Sequence, residues 1–442
     1  MARDKTHIYM PLEILFREFS PKLLLSYFAC MNGFRVYIGT KAGIDKILKS
    51  KSSGRSGIYF SNQILNKPKF VSDIKSKCEH FVVSDEELGA AVANLKFSIK
   101  NRVKNSKLIS KYLVLSEKIK KEVIKQDRKF KPITEVTGWT KYDFYRDKNK
   151  NFYFKEAKEI KKEHGNFFLL SSNYGALSSE GLNRILKKNK HLKKLKNSKL
   201  KNNDYLTFVR SIKDFEYLKT KISNFLSKNK KTKLIIRPHP SDELHSDWNK
   251  VAKLENLQVI YKRDIIPWII ASKGLIHRGC STAIDAYFLQ KKIFYFKPNR
   301  KILSSEKNLT YKISEKIDSF EEILSFKKNK NNNNLIKKEI CFDTTPSYLK
   351  IIRSFKNLVT QKEYPIRINV FDNFIFYIVP VLGYAKRVIY NFLQFSSIET
   401  KNNKIPEIIK KKTIEDKIKK IDTNNLITVK EVSREVFEID KK

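Results

Sequence analysis

The chain is poor in the residues that staple or cluster. Its 442 residues include four cysteines, Cys30, Cys78, Cys280 and Cys341. They are scattered with no C-x-x-C pair, which supports neither a disulfide framework nor a zinc site and fits a reducing compartment. Thirteen glycines and twelve prolines exclude collagen-like and proline-rich architectures. No run approaches the ~20 apolar residues that cross a bilayer. Met1-Ala2-Arg3-Asp4-Lys5 leads into no apolar stretch of signal-peptide type, so a cytoplasmic location is expected. No G-x-G-x-x-G follows a strand, and Gly54-Arg55-Ser56-Gly57 reads as a loop. Without G-x-x-x-x-G-K-[ST], P-loop chemistry is disfavoured. Without any Asp-x-Asp, a metal-chelated diphosphate is disfavoured, and no metal or cofactor is expected. No zinc-finger, RRM or KH signature is present, so no specific nucleic-acid partner is expected.

What the chain does have is positive charge: 91 Lys+Arg against 46 Asp+Glu, a formal net charge of +45. Either the surface is built to attract anions, or Lys, Asn and Ile are over-used together as an A+T-rich genome would produce. In both cases an anionic membrane face attracts the protein. Hydrophobic residues at 41% and aromatics at 12% are enough for real cores, and the length suggests two or three domains.

Short apolar runs alternate with helix-length segments. Strands are expected at His7–Met10, Phe34–Ile38, Ile58–Phe60, Phe81–Val83, Tyr112–Leu115 and Ile133–Val136. Ser20-Pro21 reads as a helix start and Gly33 as its stop. The pattern restarts with strands at Phe167–Leu170, Leu234–Ile236, Gln258–Ile260, Gly274–Ile276 and Ile293–Phe296, and a helix over Phe208–Leu226. Strands separated by helices argue for parallel, doubly wound α/β units. Domains are expected at 1–150, 151–345 and 346–442, the last a helical, basic and apolar extension. Lys187–Asn203 and Lys327–Lys338 read as basic surface segments. Phe374–Leu382 is either an interfacial membrane anchor or, the favoured reading, a helix packed back onto the domains. Residues 401–442 read as a charged periphery.

Four places could carry chemistry. Leu234-Ile235-Ile236-Arg237-Pro238-His239-Pro240 ends a buried strand in a cation and an imidazole held between prolines. Open α/β sheets bind ligands at the carboxyl ends of their strands, so Arg237 and His239 can contact a phosphate there. About forty residues on, a second strand ends at His277, turns at Gly279 and starts a helix near Ser281. Its free amides, with the Ser281 and Thr282 hydroxyls, can hold an anion, and Asp285 can accept from ribose hydroxyls. The structural alternative is a simple cap. Third, Ser84-Asp85-Glu86-Glu87 follows a strand. Clustered acids raise one another's pKa, making Asp85, Glu86 or Glu87 a candidate general base, against the alternative of an acidic helix start. Fourth, Glu13, Arg17 and Glu18 follow the first strand as candidate acceptor contacts, with a structural ion pair as the alternative.

Arg237-Pro238-His239-Pro240 and Gly279-Cys280-Ser281-Thr282-Ala283-Ile284-Asp285-Ala286 together resemble GT-B glycosyltransferases, which implies two Rossmann-like domains facing a cleft. Tyr9-Met10-Pro11-Leu12-Glu13, Arg17-Glu18, Lys22-Leu23-Leu24-Leu25 and Val36-Tyr37-Ile38-Gly39 are more specific. With Asp85-Glu86-Glu87 and Val136-Thr137-Gly138 through Tyr142-Asp143, they resemble the bacterial surface carbohydrate biosynthesis proteins over about residues 7–300. Related sialyl and Kdo transferases use CMP-sugars. The resemblance implies an acidic base at Asp85 or Glu86, His239 as phosphate contact and acid, and Ser281 and Thr282 as phosphate binders. It further implies a nucleotide-sugar donor, a polysaccharide or lipid-linked saccharide acceptor, and work at the cytoplasmic face of the inner membrane. A nucleotide-sugar 2-epimerase, a CDP-glycerol-type phosphotransferase and a non-catalytic basic binding protein remain the alternatives.

Overall fold

The computed structural model describes residues 5–49, 56–63, 68–86, 88–89, 95–102, 106–172, 202–238, 248, 254–260, 264–303, 306–325, 333–359 and 409–442. Glu87, His239, the run 374–382 and most of the basic stretch 187–203 lie outside them. In chain order the strands are β1 (His7–Leu12), β2 (Arg35–Thr40), β3 (Ile58–Ser61), β4 (His80–Ser84), β5 (Lys111–Val114), β6 (Thr134–Val136), β7 (Phe168–Ser171), β8 (Leu234–Arg237), β9 (Leu257–Val259), β10 (Gly274–His277), β11 (Lys292–Phe296), β12 (Glu315–Ile317), β13 (Ile427–Ser433) and β14 (Val436–Lys441). The apolar runs seen in the sequence became buried strands, because a parallel sheet covered on both faces hides every side chain rather than every second one. β1 is buried along its whole length.

The chain divides into two units. The first comprises Met1–Phe152, Asn333–Ser396 and Pro406–Lys442, and its sheet runs β13-β14-β2-β1-β3-β4-β5-β6. β1 to β6 are mutually parallel. The chain steps from β1 to β2 on one side and returns to β3 on the other, so strand order reverses between β1 and β3. The second unit comprises Tyr153–Asn332 and Ser397–Ile405, and its parallel sheet runs β12-β11-β10-β7-β8-β9. Here the reversal lies between β7 and β10. Ligands of open α/β sheets lodge at such reversals, outside the carboxyl ends of the strands. The Asn202–Lys228 helix packs Phe215, Leu218, Ile222 and Phe225 onto this sheet, the spacing that marked it in the sequence.

The α/β class and both doubly wound sheets are as the sequence leads one to expect. Three local features differ. The first helix spans Leu15–Met31 and contains Pro21, rather than starting there. Glu18 reaches back to accept the amides of Glu13 (3.0 Å) and Ile14 (3.1 Å), which satisfies the helix start a turn before the proline. Within Lys327–Lys338, the described residues from Asn333 onward form a helix to Glu339. The third concerns the chain's end. Instead of a helical periphery, residues 427–441 form a hairpin whose β14 pairs antiparallel with β2.

That hairpin and the Ser347–Leu358 helix both return to the first unit. Asp143, fully buried, accepts the amides of Ser347 and Tyr348 at 3.0 Å each and the Arg146 Nε at 2.7 Å. A carboxylate from the 140–145 turn thereby caps a helix two hundred residues away. Tyr348 then stacks on Phe28 with ring centroids 3.9 Å apart. Asp143→Ala should cost about 3 kcal/mol, because it strands the Arg146 charge and two amides. Denaturant unfolding checks this, and a loss under 1 kcal/mol would contradict it.

Candidate functional site

In the second unit, β7 ends at Ser171-Ser172 and β10 at His277-Arg278-Gly279-Cys280, side by side at the reversal. Ser171 Oγ lies 3.4 Å from Cys280 Sγ, joining the two strand ends. Gly279 has φ +83°, a conformation that favours glycine, and its amide turns back to donate to His277 Nδ1 at 3.0 Å. The turn leads into the Thr282–Phe288 helix. Ser281 is exposed and makes no capping bond with its side chain, while Thr282 Oγ1 is buried and has no hydrogen-bond partner among the described residues. The helix is seven residues long, so its dipole is weak; the turn and the hydroxyls dominate the local polarity. Asp285 is fully buried on that helix.

Arg237 ends the neighbouring β8, 8% exposed, with its guanidinium 5.2 Å from the Trp268 ring centre. Burial draws its pKa down to about 10, with Asp264 working in the opposite direction, so it is cationic at neutral pH. The Ser172 amide donates to the Arg237 carbonyl at 3.0 Å, keeping these strand ends level. Two of the sequence's candidates, His239 and Glu87, lie outside the described residues. Arg237, Gly279, Ser281, Thr282 and Asp285 are all placed on the carboxyl side of this one sheet.

His277 and Arg278, adjacent to that turn, hold structure. His277 is buried; its Nε2 lies 2.8 Å from Ser314 Oγ, and that hydroxyl donates to the Thr310 carbonyl at 2.6 Å. With Nδ1 accepting from Gly279, the ring proton sits on Nε2 and the ring is neutral. Burial holds its pKa down to about 3. The unfolded chain takes this proton below about 6.5, whereas the folded one does not until about 3. Stability from this group is therefore complete above pH 6.5 and falls between 6.5 and 3. NMR should show one unchanging His277 tautomer from pH 8 to 5; a ring titrating near 6.5 would contradict the assignment. Arg278 pairs with Asp214 (3.0 Å) and Glu306 (3.4 Å), and Arg300 with the same two acids (2.9 and 2.8 Å). This four-charge lattice ties the Asn202–Lys228 helix to the end of β10.

In the first unit the carboxyl ends of β1, β3 and β4 carry Glu13, Ser61-Asn62-Gln63 and Asp85-Glu86. Gln63 Nε2 donates to Glu13 Oε2 at 2.9 Å across the reversal between β1 and β3. Glu18 is 2% exposed and, besides the two amides, accepts Lys22 Nζ at 3.1 Å. Burial pushes its pKa upward, but Lys22, the Glu13 amide and Arg17 prevail and hold it below the usual carboxylate range. Glu18 is thus engaged in the ion pair named as its structural alternative, while Glu13 and Arg17 are exposed.

The acids after β4 differ from one another. Asp85 is 1% exposed and accepts the Tyr112 hydroxyl at 2.9 Å. Glu86 donates its amide to the Asn62 carbonyl at 3.0 Å, and the residue as a whole is half-buried. Burial is the chief cause that pushes the Glu86 pKa up to about 7, with Glu18 adding and Arg17, Lys22 and Lys141 opposing. Beside this turn stand Asn62 and Trp139, which the sequence reading did not select as contacts. Their signal is position, Asn62 just past the buried β3 and Trp139 three residues past β6. Among the described residues, no group of three or more His, Cys, Asp or Glu is placed to hold a metal ion, and no helix is long and apolar enough to cross a membrane.

No family model matches the chain, and no curated protein matches it by sequence. Among solved structures it is similar to the UDP-GlcNAc 2-epimerase of Methanocaldococcus jannaschii in complex with UDP-GlcNAc and UDP. The identity is 11% over 79% of this chain and 99% of that one, with a TM-score of 0.48. It is also similar to S. aureus MnaA bound to UDP, at 11% identity over 82% and 99% of the two chains and a TM-score of 0.44. A third is the wall teichoic acid polymerase TagF, at 10% identity over 80% and 89% and a TM-score of 0.45. Likenesses this distant leave the reading of the site to the strand ends themselves.

Proposed function

We propose that the chain is a metal-independent glycosyltransferase of GT-B type that uses a nucleotide-sugar donor to build surface polysaccharide. One observation carries the reading. Where strand order reverses in the second sheet, the Gly279 turn, the paired Ser171 and Cys280, the partnerless Thr282 hydroxyl and, one strand further, a buried Arg237 cation gather at the strand ends. Amides, hydroxyls and a guanidinium are what a phosphate demands. Ser281 and Asp285 on the following helix would contact phosphate and ribose, and His239 would protonate or hydrogen-bond the leaving group.

The acceptor belongs to the first unit, where Glu86 is the base. In the transfer the acceptor hydroxyl gives its proton to the Glu86 carboxylate and its oxygen bonds to the anomeric carbon. The carbon–phosphate oxygen bond breaks, and the nucleotide leaves with that electron pair. A pKa near 7 suits this role, since the base is about half ionised at neutral pH and strong enough to accept the proton. Glu13 and Arg17, exposed at the end of β1, would guide the acceptor.

A thermal-shift screen against CMP, CDP, UDP and GDP tests the donor. One or more should raise the melting temperature in a concentration-dependent way, because a ligand that binds only the folded state stabilises it. No shift from any of the four counts against the proposal. Incubation with the matching nucleotide-sugar and no acceptor should leave the sugar's configuration unchanged; epimerised product would replace transfer by 2-epimerisation.

A further inference from the structure

Two side chains at the strand ends of the first sheet are buried with polar atoms that have no hydrogen-bond partner among the described residues. Asn62, immediately after β3, is 5% exposed and neither its Oδ1 nor its Nδ2 is hydrogen-bonded. Trp139, three residues past β6, is 7% exposed with an unpaired Nε1–H. Both border the same turn. The Asn62 carbonyl accepts the Glu86 amide at 3.0 Å, and Leu88 closes the turn by donating to the Asp85 carbonyl at 3.3 Å. Gly89 then lies against the indole, where a Cβ would stand 2.8 Å from Trp139 Cη2. The indole also stacks on Tyr142, centroids 5.8 Å apart and planes 7° from parallel.

Folded chains satisfy nearly all their buried polar groups, because a group removed from water without a partner costs stability. A carboxamide with neither function paired among the described residues, at the sheet's point of reversal, marks a candidate binding position. The chemistry to be matched is specific. Asn62 offers one acceptor and two donors, Trp139 one donor, and the Glu86 carboxyl an acceptor. Adjacent hydroxyls, each donor and acceptor at once, complement that set. A phosphate, which only accepts, would leave Asn62 Oδ1 idle.

We propose that Asn62, Trp139 and Glu86 form a subsite for a neutral hydroxylated ring, a sugar or cyclic polyol. This names the acceptor's chemical class and rests on the reading that the first unit takes the acceptor. The full chain is to be examined by saturation-transfer NMR with glucose, N-acetylglucosamine and myo-inositol as probes, with UDP and CDP titrated separately.

Wild type should show transfer to at least one of the three ring probes. Asn62→Leu, similar in volume and without polar demands, should lose at least tenfold in that affinity while its melting temperature rises by about 3 °C. Trp139→Phe keeps an aromatic ring, loses the indole donor together with part of the ring, and should also weaken the probe. Nucleotide binding should be unchanged in both variants. Undiminished probe binding in Asn62→Leu overturns the subsite. So does a lowered melting temperature in that variant, which would make the carboxamide structural, and so does a wild type that binds nucleotide but none of the probes. Probe binding without any nucleotide binding supports the subsite and removes the donor reading instead.

Discussion

Glu86→Gln should reduce turnover about a hundredfold to ten-thousandfold, the span usually attributable to a positioned general base. Glutamine keeps the shape and the backbone hydrogen bond to the Asn62 carbonyl but cannot take a proton. In wild type, kcat/KM should climb as pH rises through about 7, where Glu86 loses its proton; the variant should lose that limb. The sign of the stability effect runs the other way. A carboxyl whose folded pKa lies above its ordinary value of 4.5 binds its proton more tightly folded than unfolded. Wild type therefore loses stability as pH rises from about 4.5 to 7, and Glu86→Gln should melt higher than wild type at pH 8. A variant both slow and less stable at pH 8 would make Glu86 a structural residue. Nucleotide release from the bound nucleotide-sugar reads the rate, and calorimetry the melting. Asp85, locked to Tyr112, should respond differently: Asp85→Asn should act through folding rather than through the pH limb.

Removing the C-terminal hairpin after residue 425 should prevent the first unit from folding stably. The hairpin buries Ile427, Val436, Phe437 and Ile439. At about 1.5–3 kcal/mol for each large apolar side chain, the loss is on the order of 6–12 kcal/mol, comparable with the whole stability of a domain. It would also bare β2, which becomes an unprotected sheet edge and a template for aggregation. The docking is specific. A Cβ on Gly39 would run into the Glu435 carbonyl and Val436 Cα, and one on Gly43 into the Val436 side chain. Asp440 pairs with Lys5 (2.6 Å) and Arg35 (2.9 Å), and Glu438 accepts the Tyr37 hydroxyl at 2.8 Å. Gly39→Val should reproduce much of the truncation's effect at full length. A truncated chain that stays soluble, with wild-type melting, would show the hairpin to be dispensable.

The strands at the centre of each sheet were legible because burial on both faces writes them as continuous apolar runs. Leu234–Arg237 and Gly274–His277 are examples. The hairpin was not, because its outer strand faces solvent and carries Lys430 and Glu431 amid its apolar residues, so the segment reads as a charged tail. Its partner strand also lies some four hundred residues away in the chain. β12, three residues long, is too short to show a pattern. The first helix was misplaced at its start because Pro21 is a strong local signal, whereas the Glu18 carboxylate that satisfies the first amides acts through space. The same limit applies to the candidate site. Position at a strand end pointed to Arg237, Thr282 and the acids after β4. Only packing separates Glu86, with its raised pKa, from Asp85, bonded to Tyr112. Asn62 and Trp139 came into view through their idle polar atoms, which a sequence does not display.

On the proposed reading, the second sheet's point of reversal grips a nucleotide's phosphates through the Thr282 hydroxyl beside the Gly279 turn. Isothermal titration of the best nucleotide from the screen into wild type and Thr282→Val tests it most directly. Valine preserves the shape and removes the hydroxyl alone, so at least tenfold weaker binding is expected, with melting of the free protein unaltered or raised. Equal affinity in the two proteins would contradict it.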